Sequence, residues 1–361
     1  MHKTVLTVVY DLDVSPASYD FLIFLMHAEQ YRVRNQYPAM IIMFMPGSDN
    51  GFRKDGMVTQ LNERKQMLNQ VLIPACKLLS SVVGVISPPY RVGVADEDVF
   101  PVNYHVDKCK KLAYLNYGIL QEMALGQDPV NWEIPQYAQD IVKELDDGRQ
   151  IVTINLRENP DYPSRNSNLQ AWDRFVHRLD KSKYRPVVVR ETNYIGQPLE
   201  GFRDALRFDA ASVDLMTRAA LYKIAACNMF VPCGTAMLSL FQNTRTCMLK
   251  VIDENVRSTS AKWAKDKCAM SPKFPSPPFC TQNHRYYWVN DTTENITDAF
   301  SDCINRPLTA DLHDFNEQDF IQAVLNSLSH DIQYGITDDL RAIIHMLCVV
   351  PGVELGDALN V

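Results

Sequence analysis

Residues 214–253, DLMTRAALYKIAACNMFVPCGTAMLSLFQNTRTCMLKVID, decide the fold. A helical stretch over 212–226 runs into a short apolar strand at 229–231. Cys233-Gly234-Thr235 then turns the chain into a second short helix over 236–243, and CMLKVI at 247–252 reads as another strand, ending in Asp253. Strand, glycine turn, helix, strand is one βαβ step of a parallel sheet. In such sheets ligands sit beyond the carboxyl ends of the strands, which is where Gly234 and Thr235 fall. A glycine lets an anion approach the backbone, and helix N-terminal N–H groups favour one. A glycine in any strand-to-helix turn fits the same residues equally well.

The same alternation extends upstream. IVTINL (151–156) is a strand, 168–179 a helix and PVVVR (186–190) a strand. Asp146-Asp147-Gly148-Arg149 is a polar break, and before it the pattern appears once already. TVLTVVY (4–10) reads as a strand, 18–34 as an amphipathic helix, 40–45 as a strand and 61–79 as a helix that Pro74 kinks. A third strand covers 82–86, residues 87–110 are irregular, and helices follow at 111–125 and 136–145. The expected fold is α/β, two Rossmann-like doubly wound parallel sheets. Its segments are 1–148, 149–310, and helices over 311–361, including 317–328 and 338–348, that pack back on the first part.

Length and composition agree with this. A chain of 361 residues suits about two domains. With 46% hydrophobic and 22% charged residues it is neither disordered nor fibrous. A net charge of −7 without a basic run argues against nucleic acid as a partner. No apolar run approaches the ~20 residues of a transmembrane segment, and residues 1–10 are not a signal peptide. The nine cysteines contain no C-x-x-C pair. They read as reduced thiols of a cytoplasmic protein, and no metal or cofactor is expected. The glycosylation patterns at Asn290 and Asn295 are then coincidental.

Several strand-end loops carry residues suited to chemistry. NLRENPDYPSRNSN (155–168) holds Arg157, Glu158 and Arg165, and arginine's planar fork matches phosphate. An Arg–Glu pair of purely structural value is the plainer reading of the first two. Glu191-Thr192-Asn193 closes PVVVR. Asp214 and Arg218 have the spacing of an i,i+4 ion pair. Asp253 and Glu254 suit a ribose or sugar hydroxyl, or a simple cap. In the first half, Asp11-Leu12-Asp13 follows the first strand, and PGSDNGFR (46–53) follows the second and ends in Arg53; Arg91 is a weaker candidate of the same kind.

Residues 150–300 resemble the C-terminal domain of GT-B glycosyltransferases, in particular the heptosyltransferase-like and fucosyltransferase-like groups. Gly234, Thr235 and Ala236 occupy the turn that faces the donor diphosphate in those enzymes, and Arg157 occupies their arginine position after the first strand. The heptosyltransferase pattern has an aspartate just before its glycine, where this chain has Val231-Pro232-Cys233. The resemblance implies two domains facing a cleft and metal-independent sugar transfer from a nucleotide-sugar donor to a glycan or other hydroxyl acceptor. Donor binding then falls to Arg157, Glu158, Arg165, Thr192, Asn193, Gly234, Thr235, Ala236 and Asp253. Asp13 is the expected base and Arg53 the residue contacting acceptor or phosphate. The D-x-D at Asp11 and Asp13 also fits a Mg²⁺-dependent phosphatase of the haloacid-dehalogenase type, though Asp338-Asp339 is poorly placed as its partner pair. A nucleotide-sugar epimerase and a non-catalytic nucleotide-sugar-binding module share the fold.

Overall fold

The computed structural model describes residues 4–54, 60–94, 97–102, 104–106 and 116–333. The chain divides into two compact units, 1–133 with 265–269 and 315–361, and 134–264 with 270–314. The expected helix over 338–348, the start of the one at 111–125, and Cys109 and Cys348 lie outside the described residues.

The first unit is built on β1 (Leu6–Asp11), β2 (Met40–Met45), β3 (Val82–Ile86) and β4 (Val99–Phe100), in the order β3-β2-β1-β4. All of its pairings are parallel. Helix α1 (Phe21–Arg34) lays Phe21 and Phe24 edge-on against Tyr10 of β1, and Phe21 also tilts against Phe44 of β2. β4 lies inside the segment read as irregular, since two residues are too few to show any periodicity. The expected kink at Pro74 takes a definite form. Helix α2 (Leu61–Met67) passes into a π turn at Leu68–Leu72, in which the Ile73 N–H reaches the Leu68 carbonyl, and then into α3 (Ile73–Ala75). Proline has no N–H to donate and crowds the preceding turn, and the wider turn relieves both. Helix α4 (Asn116–Ala124) follows.

The second unit opens with α5 (Gln136–Lys143), ahead of the polar break at 146–149, because α5 packs on α8 of the same unit. The elements run β5 (Gln150–Asn155), α6 (Leu169–Arg178), β6 (Tyr184–Val189), β7 (Leu206–Arg207), α7 (Ala210–Val213), α8 (Leu215–Ile224), β8 (Cys227–Phe230), α9 (Met237–Leu240), β9 (Thr246–Met248), α10 (Ala261–Cys268), β10 (His284–Tyr286) and α11 (Thr293–Ile304). Of these, α10 has its residues 265–268 assigned to the first unit. The six strands lie in the order β7-β6-β5-β8-β9-β10, all parallel. Numbered within the unit, that is 3-2-1-4-5-6, the Rossmann order. Trp172 and Phe175 of α6 and Phe300 of α11 fill its core. The single helix expected over 212–226 is two helices, because the Asp214 side chain accepts the Thr217 N–H at 2.7 Å and caps α8. The last helix, α12 (Glu317–Gln333), packs on α4 within the first unit. Among the described residues no helix is long and apolar enough to cross a membrane.

Two histidines of the second unit set a pH dependence. His284 is fully buried, with Nε2–H directed at the Ser239 carbonyl at 2.7 Å, and the His313 Nε2 stands 2.6 Å from the His284 carbonyl. Burial lowers both, His313 to about 4. The unfolded chain therefore takes up protons first, so the stability these neutral rings contribute is complete above pH 6.5 and is lost as pH falls toward 4. His313 alone costs about 2 kcal/mol at pH 5. The unfolding temperature should drop between pH 7 and pH 5, and His313→Gln should flatten that drop; an unchanged slope in the variant refutes the assignment.

Candidate functional site

In the second sheet, Asn155 pairs with Val189 on one side and Phe230 on the other, and Phe230 pairs with Met248. The strands therefore end level, and the residues just past them share one edge. The Rossmann order reverses between β5 and β8, so the edge beyond those two strands is the switch point where ligands bind.

Arg157 and Arg165 converge there on one acceptor. The Arg157 Nη1 lies 3.3 Å and the Arg165 Nη2 3.5 Å from the Pro232 carbonyl. The Nε atoms of both are buried and have no hydrogen-bond partner. Neither guanidinium forms an ion pair with a carboxylate among the described residues, and Arg157 is only 8% exposed. Burial, then the charge of Arg157, pulls Arg165 below its ordinary value. Two like charges held together without an anion are costly, and an anion docked between them would remove the cost.

The loop that holds them is locked by its own polar residues. The Arg157 N–H donates to Ser167 Oγ at 2.9 Å, and the Ser167 N–H returns to the Arg157 carbonyl. Asn166 bridges Asn159 through both side-chain atoms at 2.8 Å. These asparagines thus build the loop. Ser164 donates to Asp253 at 2.6 Å, and that bond first, against the opposing effect of burial, keeps the Asp253 carboxyl below the ordinary range.

Glu158 faces elsewhere. Its carboxylate accepts both Nε and Nη2 of Arg190, at 2.8 and 2.7 Å, so the expected Arg–Glu pair is made with Arg190 of β6's end and not with Arg157. Arg190 is 3% exposed in its side chain. Glu158→Gln should therefore lower stability by about 2 kcal/mol and leave ligand affinity of the folded protein unchanged. A loss of affinity without loss of stability would assign Glu158 to the ligand instead.

Gly234-Thr235-Ala236 forms a 3-10 turn before the four residues of α9, shorter than the helix expected over 236–243. So short an element adds little macrodipole, and the arginines dominate the field. Thr235 Oγ1 stands 3.2 Å from the Cys233 sulfur. Thr192 donates to the Ser212 carbonyl at 2.7 Å, and Asn193 is exposed. Their neighbour Glu191, named in the same cluster, is the residue to which the sequence assigned no role. Burial raises its carboxyl against the pull of Arg157. A protonatable acid within the field of an anion site suits a sugar or ribose hydroxyl. Its position directly after PVVVR was the available signal. Asp214 caps α8, while Arg218 donates to the Arg190 carbonyl at 3.1 Å.

In the first unit, Asp11 at the end of β1 is fully buried. Arg91 clasps both its oxygens at 2.9 and 2.8 Å, and the Tyr104 hydroxyl donates at 2.8 Å. A phosphatase nucleophile needs an exposed oxygen, which Asp11 lacks. Asp13 is more open. It accepts the Ser48 N–H at 2.6 Å, and its carboxyl lies below the ordinary value although burial opposes this, through Ser48 and the charge of Arg91. Arg53 donates to the Val14 carbonyl at 3.4 Å. These contacts clasp the loops after β1 and β2 to each other. Gly47 makes that closure possible, since a Cβ there would stand 2.3 Å from the Phe52 backbone.

No family model and no curated protein matches the chain. Among solved structures it is similar to the ADP-heptose lps heptosyltransferase II of E. coli at 10% identity, covering 83% of this chain and 98% of that one with a TM-score of 0.47. It is also similar to a glycosyl transferase family 9 protein from Veillonella parvula DSM 2008 at 12% identity, covering 69% and 81% with a TM-score of 0.39. The iron-containing dodecameric glycosyltransferase TibC from enterotoxigenic E. coli matches at 13% identity, covering 94% and 77% with a TM-score of 0.37.

Proposed function

We propose that this protein is a GT-B-type glycosyltransferase that takes its sugar from a nucleotide-sugar donor held by the second unit. The observation that carries the reading is the pair Arg157 and Arg165, two cations with unpartnered buried nitrogens at the switch point of a Rossmann-ordered sheet. A diphosphate supplies the missing acceptors, and its charge grows as the sugar departs. Guanidinium groups fixed in advance stabilise that growing charge without a metal ion. The Thr235 hydroxyl and the Gly234 backbone serve the same group from the β8 side. Glu191 and Asp253 are assigned to hydroxyls of the donor. Asp13 is assigned the proton of the acceptor hydroxyl, and Arg53 the acceptor or the donor phosphate. The acceptor is a glycan or another hydroxyl compound, and the reading carries with it a cytoplasmic location, where buried thiols stay reduced.

The test is a thermal-shift series with ADP, GDP, UDP and CDP at millimolar concentration, in chelator and again in Mg²⁺. One of them should raise the unfolding temperature equally with and without Mg²⁺. At a hundredfold excess over Kd the gain is about 2.7 kcal/mol, several degrees for a unit of this size. If no nucleotide shifts the transition, the donor reading fails. If only Mg²⁺ restores the shift, the metal-independent part fails.

A further inference from the structure

Three thiols far apart in the sequence meet in the core of the second unit. Cys227 opens β8, Cys247 lies in β9, and Cys303 sits in the last turn of α11. Their sulfurs all lie within 4.8 Å of one another, and the first two are 3.7 Å apart. The residues are 0, 0 and 2% exposed. A disulfide needs its sulfurs about 2.05 Å apart, so the trio is not a strained bridge. Metal–sulfur bonds of about 2.3 Å around a central ion set three sulfurs about 4 Å apart, which separations of 3.7 Å for one pair and at most 4.8 Å for the others accommodate. Among the described residues no fourth histidine, cysteine or acid joins the group. Structural zinc sites close with four ligands, whereas thiolates alone select soft ions.

We propose that Cys227, Cys247 and Cys303 form a three-coordinate thiolate site for a soft monovalent cation of the Cu(I) class, tying β8 and β9 to the end of α11. Three metal–sulfur bonds form, the three S–H bonds of Cys227, Cys247 and Cys303 break, and their protons pass to solvent; no electron moves. Cys227 stands at the amino-terminal end of β8, away from the strand ends that carry the arginines, so the site is structural and independent of donor binding.

Anaerobic competition for Cu(I) between the reduced full-length protein and a coloured copper chelator tests this. One equivalent should move to the protein, and the unfolding temperature should rise. Cys247→Ser and Cys303→Ser should abolish that uptake, while a Cys109→Ser/Cys348→Ser chain should keep it. X-ray absorption at the copper edge of the unmodified, loaded protein should count three sulfurs, which needs no variant to fold. Failure to take copper from the chelator, uptake retained in Cys303→Ser, or a site with fewer than three sulfurs would overturn the proposal and leave the trio as core packing.

Discussion

Arg157→Met should weaken nucleoside-diphosphate binding by roughly 100-fold while leaving the unliganded protein as stable as before or more so. The two halves of that result have separate causes. The affinity loss follows from removing a charge-assisted, forked contact to phosphate, worth about 3 kcal/mol where the site excludes water. The stability change follows from the free state. Arg157 is buried with an unpartnered Nε, beside a second cation, and its one contact among the described hydrogen bonds of its guanidinium is a long one to the Pro232 carbonyl. Methionine keeps most of the packing volume and takes away a buried charge, a change that is often neutral or stabilising. A gain of about 1 kcal/mol would raise the unfolding temperature by about 2–4 °C. The structural explanation makes the opposite forecast. If Arg157 is there to tether the turn at Pro232, the variant loses stability and affinity together. Thermal unfolding of the two proteins, without and then with the nucleotide that stabilises the parent, separates the cases. Arg165→Met should follow the same pattern with a smaller stability gain, since Arg165 is half-buried where Arg157 is buried.

This signature, a site that costs stability until its ligand arrives, bears on what sequence can reveal. The alternation of apolar runs and helical stretches carried the α/β class, because burial on both faces of a parallel strand leaves long apolar words such as IVTINL and PVVVR. Strands of two residues, β4 and β7, leave no such word. The arginine loop was visible because it follows a strand end, where ligands collect in this fold. What stayed hidden was partnership. Glu158 is next to Arg157 in sequence, yet its carboxylate turns to Arg190, 32 residues on. The three thiols are separated by 20 and 56 residues, so no spacing rule brings them together. Adjacent residues near the end of a strand point to opposite faces, which is why the neighbour is so often the wrong partner.

The same difficulty hid the partner of Asp11, and the expected effect there is larger. Arg91→Ala should destabilise the first unit by about 3–5 kcal/mol, because it strands a fully buried carboxylate. Arg91 supplies bonds to both Asp11 oxygens and also donates to the Pro46 and Val106 carbonyls, joining three segments of chain through one side chain. Tyr104 alone cannot replace that charge. For a unit of this size the loss corresponds to about 8–15 °C in unfolding temperature. The double variant Arg91→Ala/Asp11→Leu is the informative companion, since it removes the orphaned charge together with its partner. It should recover a large part of the loss, and the two substitutions should be strongly non-additive. If instead the double variant is destabilised by the sum of the single effects, the pair is not the energetic unit the geometry describes. The experiment also bears on chemistry. A nucleophilic Asp11 would lose activity on substitution with little change in folding, whereas an aspartate whose role is to anchor Arg91 beneath the loops that follow β1 and β2 loses the fold of those loops first. Asp13 depends on that anchoring, because the Ser48 N–H that holds it comes from the second of the two loops.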